Sequence, residues 1–156
     1  MKVKFGKLVS SDAALARLIG GRDDEGQEIC PPRTSERMTF TLGTLSKAIQ
    51  PNMEAYSAAI GRAQTRIAAE RAKYGVDLEG EELAKAQAAV NAVVDEANAE
   101  IRDLLETMVE LVGVTGKIPL AAFEKEGIQF TTPELLALDW LISTKTSVPL
   151  FEEESE

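Results

Sequence analysis

Two stretches decide the fold: Leu42 to Tyr74, LGTLSKAIQPNMEAYSAAIGRAQTRIAAERAKY, and Leu83 to Val112, LAKAQAAVNAVVDEANAEIRDLLETMVELV. In the first, Leu42, Leu45, Ile49, Met53, Tyr56, Ile60, Ala63, Ile67 and Tyr74 recur mostly at steps of three and four, the period of a helix packed along a partner. Leu83, Ala86, Val90, Val93, Ala97, Ile101, Leu104, Met108 and Leu111 do the same in the second. Each stretch is long enough for a helix of roughly 45 to 50 Å. The turn between them, Gly75-Val76-Asp77-Leu78-Glu79-Gly80, is short and bounded by glycine, so the helices are expected to pair antiparallel as an αα-hairpin.

Both seams contain consecutive four-residue steps, Leu45-Ile49-Met53 and Val93-Ala97-Ile101, which relax left-handed supercoiling and predict a rather straight hairpin. Pro51 falls within the first. It removes one helical hydrogen bond and crowds the carbonyl four residues back, which predicts a kink or restart with the axis roughly continuous. Ile60 and Ile101 are expected core positions. Charge is divided unequally between the arms: Arg62, Arg66, Arg71 and Lys73 on the first, and Glu81, Glu82, Asp95, Glu96, Glu100, Asp103, Glu106 and Glu110 against Lys85 and Arg102 on the second. Arms of opposite sign favour intramolecular pairing over self-association of like arms.

Outside the hairpin, Met1 to Val9 alternates and predicts a strand with one wet face. Ser10-Ser11-Asp12 offers a cap for a short helix to Ile19, stopped by Gly20-Gly21. Residues 22–36 hold no period and are expected to form a mobile loop. Arg37-Met38-Thr39-Phe40-Thr41-Leu42 alternates and is rich in strand formers, which predicts a second strand pairing with the first before the long helix begins near Gly43 or Thr44.

After the hairpin, a short helix is expected from Pro119, a brief strand at Ile128-Gln129-Phe130, and a helix started by Thr132-Pro133-Glu134. The apolar residues Leu135, Leu136, Leu138, Trp140, Leu141 and Ile142 that follow must be packed. The expected fold is therefore α+β, mainly α: a long, coiled-coil-like antiparallel hairpin with a small β-sheet and short helices at its open end. Residues 1–142 are expected to be one domain, with arms at about 43–75 and 80–112 and a base from 1–42 and 113–142. Residues 143–156 form an acidic tail, expected to be flexible.

Composition narrows the function. The chain has 156 residues, is 44% hydrophobic and carries a formal net charge of -9, which argues against general affinity for nucleic acid or anionic membrane. No apolar run approaches a membrane span, and no signal core follows the basic residues at the N-terminus. A host-cell interior or a virion is the expected setting. The single cysteine, Cys30, cannot form an internal disulfide. There is no histidine, which removes the usual general base and transition-metal ligand. No phosphate-binding glycine motif occurs. Asp23-Asp24-Glu25-Gly26 with Glu28 lacks the acid spacing and distal glutamate of a calcium loop. No catalytic residue, cofactor or metal is expected.

Several short motifs carry a resemblance. Pro51-Asn52-Met53-Glu54-Ala55-Tyr56, Lys73-Tyr74-Gly75, Lys117-Ile118-Pro119-Leu120 and the run from Thr132 to Leu138, Thr-Pro-Glu-Leu-Leu-Ala-Leu, occur in an order that resembles a family of small uncharacterised proteins of tailed bacteriophages. The resemblance implies a phage setting and transfers no catalytic residue. Three roles compete on the sequence. The first is a phage accessory or structural protein that presents its hairpin to a protein partner, without direct nucleic-acid or membrane binding. The second is an acidic imitator of nucleic acid, with Glu96, Glu100, Asp103, Glu106 and Glu110 as a ladder rising in steps of roughly 5 to 6 Å. The third is an enzyme without recognisable machinery. In the tail, Leu150 and Phe151 are a further candidate contact: the pair resembles the peptide by which bacterial replication proteins dock into the sliding clamp, without its leading glutamine. The alternative is that they fold back onto the domain.

Overall fold

The computed structural model describes residues 1–22 and 25–144. It is mainly helical, with two long helices packed together and small strand pairs beside them. In chain order the elements are β1 (Lys2–Lys4), α1 (Phe5–Ser10), α2 (Asp12–Ile19), β2 (Gly21–Arg22), β3 (Glu28–Ile29), α3 (Glu36–Arg71) and α4 (Gly80–Glu106). There follow β4 (Met108–Glu110), β5 (Ile118–Pro119), α5 (Leu120–Lys125), α6 (Thr132–Ala137) and β6 (Ile142–Ser143).

The hairpin is present, but its arms are unequal. α3 has 36 residues and α4 has 27, so they run roughly 54 and 40 Å. The difference lies at the open end. The expected strand over Arg37 to Leu42 is instead the first turns of α3. Ser35 caps the helix, its Oγ accepting from the Met38 amide at 3.4 Å. Met38, Leu42, Leu45 and Ile49 then face the core at steps of four, three and four, whereas Phe40, which a strand would have placed on the same face, is 77% exposed. Both periods fit the sequence, and burial favours the helical one. The helix also runs unbroken through Pro51 with no restart there, and Asn52 donates its side-chain amide to the Ala48 carbonyl at 3.1 Å.

At the other end, α4 stops at Glu106 rather than continuing to Val112. Thr107 is extended, its amide and hydroxyl both donating to the Leu104 carbonyl, and Met108–Glu110 becomes β4. The partner of β4 is β1, antiparallel, with Val3 opposite Val109 and Lys2 opposite Glu110. The predicted strand Met1 to Val9 is therefore only partly a strand. Its second half folds as α1, which buries Phe5 and Leu8 at helical spacing. α1 lies against the end of α4 through Gly6, where a Cβ would come within 3.1 Å of the Leu105 carbonyl oxygen.

The expected loop 22–36 contains a small antiparallel pair, Gly21 opposite Ile29 and Arg22 opposite Glu28. α2 follows its expected bounds to Ile19. However, Ser11 does not cap it through its side chain. α5 starts after Pro119 as expected. Ile128 to Phe130 is not a strand; Ile128 donates its amide to Phe123, and the Phe130 ring meets Phe123 edge-on at 5.2 Å. α6 begins one residue early: Thr131, rather than Thr132, is the cap, with Glu134 closing a reciprocal capping box.

The core sits at the base. Phe5, Leu8, Leu15, Leu18, Leu45, Leu111, Phe123, Leu138 and Leu141 are essentially inaccessible there. Trp140 is buried among them and donates its indole N–H to Ser11 Oγ at 3.2 Å. The Ser11 hydroxyl lies within bonding distance of the Lys7 and Leu8 carbonyls, so the one buried polar side chain of the described residues is satisfied.

Candidate protein-docking surfaces

The distal hairpin is built differently from the base. Between α3 and α4 only Ala63, Ala86 and Ala97 are fully buried, while Ile60, Ile67, Val90, Val93 and Ile101 are half-buried and Leu83 is exposed. Alanine at the contact points allows close helix approach but leaves little side chain to cover the larger residues beside it. Along one side of α3, Gln64, Ile67, Ala68, Arg71 and Ala72 line a shallow trough at helical spacing. Ile60 and Ile101 thus belong to the seam as expected, but to an open seam rather than a sealed core.

The acidic ladder is only partly assembled. Arg66 on α3 reaches across the hairpin to Glu100 at 2.7 Å and to Glu96 at 3.1 Å. The hydrogen bond and charge of Glu100 raise the Arg66 pKa, with a smaller contribution from Glu96. Glu106, the last residue of α4, pairs with Lys4 at 2.5 Å. Asp103 remains on the helix without an ion pair among the described residues. Glu110 is off the helix altogether, on β4 opposite Lys2. Near the tip, Glu70 is held below the usual carboxylate range by hydrogen bonds from Lys73 and Tyr74. Leu150 and Phe151, the tail candidates, lie outside the described residues, as do Asp23 and Asp24 of the acidic loop. Cys30 is exposed and unpaired with another cysteine.

A second concavity, which the sequence did not announce, lies at the base between the start of α3, the segment 113–119 and α5. It measures about 850 Å³, within the range of about 300–1,000 Å³ typical of ligand pockets. Leu45, Ile118, Ala122 and Leu141 give it an apolar floor, and Phe40 stands exposed on its wall. Gly113 turns the chain into it with φ +82, where a Cβ would also meet Thr44 at 3.1 Å.

Its rim is cationic. Arg37 and Lys125 are exposed and make no ion pair among the described residues. Lys117 donates to the Asp139 carbonyl. The one acid on the rim, Glu126, is engaged by the Ser35 hydroxyl and by the Ser35 amide at 2.8 Å, and these bonds lower its pKa.

The groove depends on residues 37–42 being helical, because a strand there would carry Arg37 and Phe40 to other places. The sequence signal for that helix is Ser35-Glu36, a cap and first-turn acid in front of the Met38, Leu42, Leu45 series.

The groove and the hairpin together define the class: a mainly helical α+β protein with an open helical seam at one end and a lined concavity at the other. No protein-family model matches the chain, and no curated protein or solved structure is significantly similar to it. No helix of the described residues is long and apolar enough to cross a membrane.

Proposed function

We propose that the protein is a non-enzymatic interaction protein, a bacteriophage accessory or assembly factor that takes a protein partner along its helical hairpin. The observation that carries this reading is the open seam. A pair of helices that buries only alanines at its distal contact offers half-buried isoleucine and valine and the trough along α3 to a further helix. Laying an amphipathic helix into such a groove is a recurrent mode of recognition, with anchors at the same three- and four-residue steps. The absence of histidine from the sequence supports a role without acid–base chemistry. The phage setting comes from the resemblance carried by the motifs around Pro51, Lys73, Lys117 and Thr132. Against nucleic-acid mimicry stand the cross-hairpin pairing of Glu96 and Glu100 with Arg66 and the departure of Glu110 from the ladder.

Capture of partners from nuclease-treated lysate of phage-infected bacteria tests the reading. Ala68→Glu with Ala72→Glu places charge on the exposed α3 trough and is expected to abolish capture without unfolding the chain. Lysine at Glu96, Glu100 and Asp103 is expected to leave capture intact, with little dependence on salt. The opposite pattern, loss with the acidic triple and steep salt sensitivity, would establish mimicry instead.

A further inference from the structure

The described chain leaves the domain at the edge of the basal groove. β6, Ile142–Ser143, runs parallel to β5, with Ile142 opposite Ile118 and Ser143 opposite Pro119, and Ile118, Pro119 and Leu141 all line the groove. Because β5 leads directly into α5 and β6 runs parallel to it, β6 points toward the start of α5, whose Ala121, Ala122 and Lys125 form the groove's next wall. The segment beyond reads Ser147-Val148-Pro149-Leu150-Phe151-Glu152-Glu153-Glu154: an apolar tetrapeptide followed immediately by three acids.

That order complements the groove. The floor is apolar, an exposed phenylalanine stands on the wall, and the cations Arg37 and Lys125 on the rim lack ion-pair partners among the described residues. Reach is sufficient, since the seven residues that follow Thr144, through Phe151, extend up to roughly 23–25 Å, while α5, at six residues, is only about 9 Å long. Apolar anchors in a pocket with charged partners at its rim is the arrangement by which extended peptides are ordinarily held. A tethered segment also faces a far smaller entropic penalty than a free one, because its effective concentration at the groove is set by a short linker.

We propose that the basal groove is the receptor for this chain's own C-terminal segment, with Val148, Leu150 and Phe151 on the apolar floor and Glu152–Glu154 against Arg37 and Lys125. The groove and the segment then form a latch at the base, separate from the hairpin seam, so its failure leaves the hairpin reading untouched.

The test uses the full chain in a Cys30→Ser background with Ser155→Cys carrying a nitroxide label. In isotope-labelled protein, the amide signals of Lys117, Ala121, Ala122 and Lys125 are expected to lose most of their intensity, at a level independent of protein concentration. Amides at the hairpin tip, such as Val76, should keep theirs. Arg37→Glu with Lys125→Glu, both exposed positions, should restore the groove signals, as should raised salt in part. Leu150→Ala with Phe151→Ala should restore them fully. Three results would overturn the proposal: groove signals that keep full intensity, broadening that the substitutions leave unchanged, or broadening seen only when labelled and isotope-enriched chains are mixed. The last would make a second copy's segment the occupant.

Discussion

The base and the distal hairpin are made from the same kinds of residue and reach opposite outcomes. At the base, large side chains from α1, α2, α3, α5 and the segment after α6 converge, and Phe5, Phe123, Leu138 and Leu141 lose essentially all their accessible surface. In the distal hairpin, isoleucine and valine of the same hydrophobicity stay only half-buried because only one other helix is present to cover them. A helix pair has one contact line, whereas a core needs several layers around it. The base is therefore where folding stability resides, and the hairpin is where apolar surface remains incompletely covered.

The sharpest way to break that contrast is truncation at each end. Phe123→Ala should destabilise by about 3–5 kcal/mol, the range for removing a fully buried aromatic side chain. Ile67→Ala or Val90→Ala, each half-buried, should cost only about 1 kcal/mol, in line with the smaller area they remove from water. Arg66→Ala, on an exposed pair with Glu96 and Glu100, should leave stability essentially unchanged. Urea denaturation gives all of these on one scale. Equal costs at Phe123 and Ile67 would mean that the hairpin is sealed in solution, by a second copy or by another arrangement, and the contrast would fail.

An effect smaller than that of Phe123→Ala probes the one polar link inside the base. Ser11→Ala removes the acceptor of the Trp140 indole N–H and leaves a donor buried with no partner, which costs about 1–3 kcal/mol. Trp140→Phe combined with Ser11→Ala removes both ends, and its cost should fall below the sum of the two single changes. A double-mutant cycle with no coupling would show that the 3.2 Å contact carries no weight.

Much of the hairpin was legible because its period persists over many turns, and α2, α5 and α6 announced themselves by their glycine or proline boundaries. The failures share a cause. Met38 to Leu42 satisfies the period of two and the period of four together, and the basal core decides between them, burying Met38 and Leu42 and leaving Phe40 outside. Met108 and Leu111 extend the helical steps of α4 on paper, yet Val109 pairs with Val3, more than a hundred residues away, and the strand wins. Tertiary partners overrode local pattern in both places. The basal groove was illegible for the same reason: its walls come from residues 35–45, 113–126 and Leu141, and no local motif joins them. Of the acidic ladder, the sequence identified the charges but not Arg66 and Lys4 as their partners.

The smallest effect is a matter of pH and concerns how the base is tied together at Glu134. Burial alone would raise its carboxyl pKa, but the Thr131 amide and hydroxyl and the Arg17 guanidinium together outweigh burial and hold it below its ordinary value of 4.5. A carboxyl whose pKa is lower in the folded state stabilises the fold above its unfolded value, and that contribution disappears as pH falls through the folded value. Glu134→Gln keeps an acceptor for the Thr131 amide but loses the charge that faces Arg17. At pH 7 the variant should therefore melt below the unsubstituted protein, and the gap should close as the pH is lowered past the carboxylate range. Melting curves followed by circular dichroism from neutral pH to about pH 3, below the unperturbed carboxylate values, decide it. A gap that widens in acid would mean that burial dominates and that the capping box does not hold Glu134 ionised.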